Sequence, residues 1–306
     1  MILSVGLTPA WQRILQFDRL SIGEVNRAQT ACACASGKVL NVAAAVHHLG
    51  AAGTVWCPIG GATGAQIRAD FATLRIPARW LEVTGSTRVC TTLLDAATGQ
   101  TTELVENAAG LTTDELDHYA NALPALAAQA RLMVATGSLP QGTPTGYYRR
   151  LLHTVECPVL LDVRGADLVE CLPLRPLLVK PNREELGWTV GRTLTTEAET
   201  LAAMHELRTQ GAVWVVVSHG PSALLAAGPD GDFRLRPPQI EAVNPIGCGD
   251  SLAAGIAVGV AEQQPMLAAI RLGMAAAVEN ALDLLPARMT RADCERRLPE
   301  ITVERL

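Results

Sequence analysis

The sequence predicts an α/β fold in which helices cover a mainly parallel sheet that carries a small β-sheet lid. Three observations lead to this prediction. Short apolar segments alternate with helical segments along most of the 306 residues, and alternating βα units form parallel sheets. Hydrophobic residues make up 49% of the chain and aromatic residues only 4%, which suits apolar strands under Ala- and Leu-rich helices. The segments at about 12–35 and 87–107 instead alternate apolar and polar residues, so we assign them to the lid.

Each element is predicted from its apolar pattern and from the residues that end it. Strands are predicted at 2–7, 54–59, 132–136, 159–161, 177–179 and 213–217, each followed by Gly, Pro or a polar side chain. Helices are predicted at 39–49, from about 60 to 74, and at 114–130, 144–154 and 196–210. Gly50 ends the first of them, and a capping box of Thr196 and Glu199 begins the last. The lid has a hairpin of 89–95 and 101–105, and the chain after Asp250 is predicted to be almost wholly helical.

Polar residues follow the predicted parallel strands at 137–138, 162, 180–182 and 218–220, and further ones lie at 247–250. The carboxyl ends of parallel strands meet at one edge of a sheet, so these residues are expected to converge there, under the lid. Open α/β sheets bind their ligands at that edge, and this is where we expect the functional site.

Charge and composition argue against several classes of function. The net charge is −5 and no Lys/Arg cluster is present, which argues against nucleic acid as a ligand. No uncharged apolar run reaches the ~18 residues of a membrane span, and no basic segment with a cleavage site begins the chain. We therefore expect no membrane partner and a cytoplasmic location. No linker divides residues 1–306, so we expect a single domain with inserted lid strands.

The segment 244–251, Asn-Pro-Ile-Gly-Cys-Gly-Asp-Ser, carries the strongest chemical signal. Gly247 and Gly249 allow main-chain N–H groups to approach an anion, and the helical pattern that follows adds the positive end of a helix dipole. Asp250 lies beside this anion pocket and can take a proton from an attacking hydroxyl. The pattern predicts phosphoryl transfer to an alcohol, although a Gly-rich turn with Asp250 as a helix cap fits the same residues.

Three more segments occur in a matching order. Residues 36–43 read Ser-Gly-Lys-Val-Leu-Asn-Val-Ala, residues 136–140 Thr-Gly-Ser-Leu-Pro, and residues 179–186 Val-Lys-Pro-Asn-Arg-Glu-Glu-Leu. Together with segment 244–251 they resemble the signatures of the ribokinase-like (PfkB) carbohydrate kinases over essentially the whole chain. The nearest branch is that of the 1-phosphofructokinases and tagatose-6-phosphate kinases. The resemblance implies a ribokinase-like three-layer sandwich with a β-sheet lid.

The resemblance also implies a role for each matching residue. Asp250 is the implied base, and the N–H groups of Gly247, Cys248 and Gly249 form the implied anion hole. The implied cofactors are ATP and Mg²⁺, with the nucleotide assigned to Lys180, Asn182, Glu185, Ser218 and Gly220, and Mg²⁺ to Asn182 and Glu185 through water. The sugar is assigned to Gln12, Gly37, Lys38, Asn41, Arg88 and Ser138. Family members often pair their lids, so a homodimer through the lid is expected.

Two departures from the family pattern concern the acceptor. Gln12, a neutral amide, replaces the acid that usually bonds sugar hydroxyls. The lid carries Glu103 and Glu106 where sugar-phosphate kinases often have a basic residue, and two carboxylates disfavour a nearby phosphate dianion. Lys38, Arg27 and Arg88 remain candidate partners for a phosphate.

The predicted activity is ATP-dependent phosphorylation of a sugar phosphate of the fructose 1-phosphate, fructose 6-phosphate or tagatose 6-phosphate type. Two alternatives are a kinase of an unphosphorylated sugar or nucleoside, and a non-catalytic sensor with the same fold. A dinucleotide-binding oxidoreductase is suggested only by Gly60-Gly61-x-x-Gly64, which lacks the acidic residue that such a site requires.

Overall fold

Two sheets of unequal size organise the chain in the computed structural model, which describes all 306 residues. The strands are β1 (Ile2–Val5), β2 (Ala10–Phe17), β3 (Thr30–Ser36), β4 (Gly53–Ile59), β5 (Ala78–Glu82), β6 (Arg88–Asp95), β7 (Gln100–Val105), β8 (Leu132–Thr136), β9 (Val159–Asp162), β10 (Leu178–Val179), β11 (Trp214–Val217), β12 (Leu224–Gly228), β13 (Gly231–Arg236) and β14 (Thr302–Arg305). The helices are α1 (Lys38–His48), α2 (Gly61–Thr73), α3 (Thr113–Ala127), α4 (Tyr147–Leu152), α5 (Ala166–Cys171), α6 (Arg183–Val190), α7 (Glu197–Thr209), α8 (Cys248–Ala261), α9 (Met266–Ala281) and α10 (Arg291–Arg297).

The large sheet has ten strands in the order β14-β13-β12-β11-β10-β9-β8-β1-β4-β5. All neighbours from β11 to β5 are parallel, whereas β11 to β14 pair antiparallel at the other edge. Side chains alternate between two cores. Ile2 and Leu132 pack with helices α1, α2, α8, α9 and α10, and Leu3 and Met133 pack with α3 to α7. The predicted sandwich with a mainly parallel sheet is confirmed.

The lid is a separate four-stranded sheet in the order β3-β2-β6-β7. Its two central strands, β2 and β6, are parallel, and the outer strands pair with them antiparallel. Strand β2 begins five residues after β1 ends, so the lid is attached close to the carboxyl end of the large sheet. This arrangement leaves a cleft between the two sheets.

Four strands were missing from the sequence-based prediction: β5, β12, β13 and β14. Strands β12 and β13 form a hairpin with a two-residue turn, Pro229-Asp230, in a region without the βα rhythm. All four residues of β14 are exposed, so no apolar pattern marks it. The prediction of an almost wholly helical C-terminal region is therefore wrong at Thr302–Arg305, which pairs with β13. No helix combines the length and apolar character needed to span a membrane.

Candidate active site

A cleft of about 720 Å³ lies between the lid and the carboxyl ends of the parallel strands. Every residue to which the family resemblance assigned a role lines it: Gln12, Gly37, Lys38, Asn41, Arg88, Ser138, Lys180, Asn182, Glu185, Ser218, Gly220, Gly247, Cys248, Gly249 and Asp250. Arg27, the further candidate partner for a phosphate, does not line the cleft. The loops that follow β8, β9, β10 and β11 supply its floor, and the lid supplies Gln12, Arg88 and Glu103. The expected convergence at the strand ends is therefore what the structure shows.

Asp250 lies in the first turn of α8, at the bottom of the cleft, and is 6% exposed. Asn41 Nδ2 of α1 donates a hydrogen bond to Asp250 Oδ2 over 2.7 Å. Burial raises the pKa of Asp250 to about 6, while the charge of Lys38 and the hydrogen bond from Asn41 oppose the rise. A carboxylate in this environment can accept a proton close to neutral pH.

Asn41 is itself oriented by a neighbour. Ser36 Oγ donates to Asn41 Oδ1 over 2.9 Å, which leaves the Asn41 amide nitrogen to face Asp250. Gly37 lies between them with φ 88°, and a Cβ there would come within 3.0 Å of Thr8 O and Ala10 N. The Ser-Gly pair thus places the start of α1 tightly against the base of the lid.

Contacts from Asn280 of α9 and from Pro286 fix the turn that precedes α8. Gly247 caps the helix with φ 83°, and a Cβ on it would meet Pro286 Cβ at 2.8 Å. Asn280 is fully buried; its Nδ2 donates to Ile246 O over 2.9 Å, and its Oδ1 accepts from Ser251 Oγ over 3.0 Å. These contacts fix the N–H groups at the start of α8, whose dipole adds positive potential for an anion.

Asp162, at the end of β9, is the hub of an ionic network. Its Oδ1 lies 3.3 Å from Lys180 Nζ and 3.4 Å from Lys38 Nζ, and its Oδ2 accepts from Thr136 Oγ1 over 3.2 Å. Burial alone would raise the pKa of Asp162, but the two lysines outweigh it and the pKa is lowered. The carboxylate therefore stays ionised and holds both ammonium groups in the cleft.

Asn182 and Glu185 form a capping box at the start of α6. Asn182 Oδ1 accepts from Glu185 N over 2.8 Å, and Glu185 Oε2 accepts from Asn182 N over 3.0 Å. The other carboxylate oxygen, Glu185 Oε1, lies 3.7 Å from Lys38 Nζ. The helix-capping interpretation and a ligand-binding role are thus compatible, because they use different oxygens of Glu185.

The lid end of the cleft combines amide, guanidinium and carboxylate groups. Gln12 is buried and its Nε2 donates to Thr92 Oγ1 over 2.7 Å. Arg88 donates from Nη2 to Thr8 O over 3.0 Å and from Nη1 to a main-chain carbonyl of the lid over 3.3 Å. Burial raises the pKa of Glu103, with Arg88 opposing the rise. The Arg88 side chain thus ties the lid to the loop after β1.

Residues 1–284 match the pfkB family of carbohydrate kinases. The chain belongs to this family.

Several relatives of this carbohydrate kinase are phosphofructokinases by name. It is 34% identical to ATP-dependent 6-phosphofructokinase isozyme 2 of Mycobacterium tuberculosis over 264 aligned residues. The aligned segment covers 85% of this chain and 78% of that protein. Phosphofructokinase-2 of Escherichia coli, solved with substrates and products, superposes with a TM-score of 0.90 at 26% identity over 97% of this chain and 98% of that one. A possible 1-phosphofructokinase of Thermotoga maritima superposes with a TM-score of 0.93 at 20% identity, over 100% of this chain and 99% of that one. The family and the sugar kinase activity predicted from the sequence are confirmed.

Two residues that shape the cleft of this carbohydrate kinase had no assigned role in the sequence analysis. Asp162 was noticed only as a polar residue after a strand, and nothing local indicated that it contacts Lys38 and Lys180. Asn280 lies within α9, far along the chain from the turn that it supports, and its surroundings read as an ordinary apolar helix.

Proposed function

We propose that this pfkB-family kinase transfers the terminal phosphoryl group of ATP to a hydroxyl of a phosphorylated ketohexose, with fructose 6-phosphate as the first candidate. The observation that carries the proposal is the buried Asp250 carboxylate, beside the glycine turn at the mouth of α8. The acceptor class is supported by the 34% identity to a 6-phosphofructokinase over 85% of the chain.

In the proposed reaction the acceptor oxygen bonds to the γ-phosphorus while Asp250 takes its proton. The bond between the γ-phosphorus and the β–γ bridging oxygen breaks, and its electrons leave with ADP. The main-chain N–H groups of Gly247, Cys248 and Gly249 would stabilise the charge on the transferred group. A preorganised donor of this kind is worth about 3–4 kcal/mol, and a positioned base about 10²–10⁴-fold in rate.

The nucleotide would lie along Lys180, Ser218 and Gly220, with Mg²⁺ held through water by Asn182 and Glu185 and by Asp162. The donor set suits this ion, since Glu185 Oε1 is not used in the helix cap and Asp162 is ionised. Magnesium commonly takes one or two carboxylates and keeps several waters. When bound, it would neutralise charge on the β- and γ-phosphates.

The acceptor would bind between the lid and α1, through Gln12, Gly37, Lys38, Asn41, Arg88 and Ser138. Arg27, exposed on the lid loop, and Lys38 are candidates for its phosphate. We treat residues 1–306 as one domain whose lid closes over the sugar and excludes water, which would suppress ATP hydrolysis. We propose a cytoplasmic location, because the proposed reaction consumes ATP and a phosphorylated sugar.

We also propose a homodimer formed through the lid. Ile22 and Val25, on the loop between β2 and β3, are 99% and 82% exposed. Two large apolar side chains this exposed on one short loop support a contact surface there. The E. coli relative has been solved in a tetrameric inhibited form, so assembly occurs in this fold.

The decisive experiment is an acceptor panel with MgATP, read by ADP release. We expect turnover with fructose 6-phosphate or another phosphorylated ketohexose and none with fructose, ribose or adenosine. Turnover with the unphosphorylated compounds alone would favour the other kinase alternative, for which the acidic Glu103 in the cleft gives some support.

Asp250→Asn tests the proposed base in the same assay. We expect a loss of about 10²–10⁴-fold in turnover with ATP binding retained, because only the proton acceptor is removed. Nucleotide binding by the wild type without turnover of any acceptor would instead support a sensor.

A further inference from the structure

Four cationic side chains line the cleft, and they include the only two lysines of the chain, Lys38 and Lys180. Both ammonium groups lie within 3.4 Å of Asp162 Oδ1, so the two lysines share one ionised carboxylate. The third cation, Arg88, donates hydrogen bonds to two main-chain carbonyl oxygens. The fourth is Arg164, and no close partner within the protein occupies its guanidinium.

Arg164 is anchored in a way that leaves its donors free. Its one ionic contact, from Nη1 to Glu185 Oε1, is 3.9 Å long, and its side chain is 56% exposed. An ion pair this long and this exposed is weak. The guanidinium carbon lies 5.4 Å from the centre of the Trp188 ring on α6, which is a cation–π contact. An aromatic face can orient a guanidinium while the N–H groups at its edge remain available to a ligand.

The order of the strands places Arg164 between two groups of residues that already have a proposed role. At the carboxyl edge of the sheet, Ser218 follows β11 and Lys180 follows β10. Arg164 comes two residues after the end of β9, and Ser138 follows β8. The proposed nucleotide residues thus lie on one side of Arg164, and the proposed acceptor residue lies on the other. The terminal phosphate of the nucleotide has to meet the acceptor in this intermediate position.

We propose that Arg164 binds the terminal phosphate of the nucleotide, so that it distinguishes a triphosphate from a diphosphate, and that Trp188 positions its guanidinium. This inference rests on the proposed function for the place of the nucleotide. A guanidinium can donate two parallel hydrogen bonds to phosphate oxygens, and such charge-assisted bonds are stronger than neutral ones. Because the terminal phosphate leaves with the acceptor, the contact is lost when ADP forms, which favours ADP release.

Nucleotide binding without turnover tests the role of Arg164. The affinities for ADP and for AMP-PNP, an ATP analogue that resists transfer, are measured by isothermal titration calorimetry with Mg²⁺ present. We expect Arg164→Gln to bind AMP-PNP about tenfold more weakly and ADP as the wild type does, because only the terminal phosphate loses a donor. The control Arg149→Gln removes an equal charge from an exposed residue of α4 outside the cleft and should match the wild type. An equal loss for both nucleotides, or no loss for either, would overturn the proposal.

Two further variants separate charge from orientation. Arg164→Lys keeps the charge without the forked donors, so it should recover only part of the affinity for AMP-PNP. Trp188→Leu removes the ring that contacts Arg164 and should weaken AMP-PNP binding about threefold, with ADP binding unchanged. Both side chains are more than half exposed, so neither change should lower the melting temperature. A Trp188→Leu variant that binds both nucleotides equally less well would reject the positioning role.

Steady-state kinetics separate this inference from the proposed function. With a phosphorylated acceptor, Arg164→Gln should raise the KM of MgATP and leave the KM of the acceptor unchanged. A rise confined to the KM of the acceptor would place Arg164 on the sugar and contradict the proposal. If the wild type turned over no acceptor but Arg164→Gln still lost affinity for AMP-PNP and not for ADP, the proposed function alone would be wrong.

Discussion

Asp250, the proposed base, lies in an environment that shifts its pKa in two opposite directions. Burial favours the neutral acid, and the hydrogen bond from Asn41 and the charge of Lys38 favour the carboxylate. The outcome, a pKa of about 6, keeps the group ionised at neutral pH and leaves it basic enough to take a proton.

The pH dependence of turnover follows from this value. Only ionised Asp250 can act as the base, so kcat/KM should be flat above pH 7, half-maximal near pH 6, and fall about tenfold per pH unit below that. Initial rates with saturating MgATP between pH 5 and pH 8 measure this profile. A plateau that continues down to pH 5 would be inconsistent with Asp250 as a group of raised pKa.

Asn41→Leu should shift the pH profile of kcat/KM toward higher pH. Removal of the 2.7 Å hydrogen bond disfavours the carboxylate, so the pKa of Asp250 rises and the acid limb moves to higher pH, by about one pH unit. Ser36→Ala, which only loosens the orientation of Asn41, serves as a milder comparison. An unshifted limb in Asn41→Leu, with activity lost equally at every pH, would mean that Asn41 acts on binding instead.

A sequence pattern can identify a site residue when its role depends on neighbours within the same short segment. The turn with Gly247 and Asp250 was found because helix capping, glycine conformation and the acidic side chain all lie within one short segment. Asp162 and Asn280 act through contacts with residues far away in the chain, so their neighbours in sequence carry no sign of them. Arg88 was predicted to face the sugar, and its contacts with main-chain carbonyls became visible only in the folded chain.

At the scale of elements, the position of α8 depends on its close approach to α9. A Cβ on Gly255 would lie 2.6 Å from Gly273 Cα, and one on Gly259 would lie 2.6 Å from Ala269 Cβ. The two helices thus touch through main-chain atoms along one face. Since Asp250 and the glycine turn are at the start of α8, this contact sets their position relative to α1 and the lid.

Gly255→Ala tests this packing. Alanine would favour the helix by about 1 kcal/mol, but overpacking against a main-chain contact costs about 1–3 kcal/mol, so we expect a lower melting temperature. The displaced α8 should also lower kcat. Gly273→Ala, whose Cβ would meet Leu252 O at 2.5 Å, should behave alike. An unchanged melting temperature and kcat in both variants would show that the helices can separate without cost.

The burial of a strand also determines whether its sequence reveals it. Central strands such as β1 and β8 are buried on both faces, and each is apolar except for a single Ser or Thr. The hairpin of β6 and β7 was found from its turn and its alternation. The edge strands β5 and β14 are partly or wholly exposed, so their pairing is decided by the neighbouring strand and not by their own sequence.

At the scale of the whole molecule, the lid leaves apolar side chains in contact with solvent. Ile22 and Val25 lie on the lid loop, and Leu104 on the outer strand β7 is 56% exposed. Burial of these side chains in a lid-to-lid contact would remove this surface from water and cover the lid edges.

The oligomeric state tests this contact. We expect the wild type to have the mass of a dimer by light scattering and the double variant Ile22→Asp, Val25→Asp to be a monomer. Val303→Asp, which changes an exposed valine on β14 at the opposite sheet, is the matched control and should remain dimeric. A monomeric wild type, or a double variant that still dimerises, would rule out pairing through this loop.

The placement of lysine has a practical consequence for surface chemistry. Both side-chain amines sit inside the cleft, one of them almost fully enclosed, and every other basic side chain outside histidine is a guanidinium. Succinimidyl esters used for dyes, biotin or crosslinking therefore find no lysine on the outer surface, and any lysine adduct marks the cleft. Immobilisation on a sensor chip is better directed to other groups, because coupling through lysine would block the cleft.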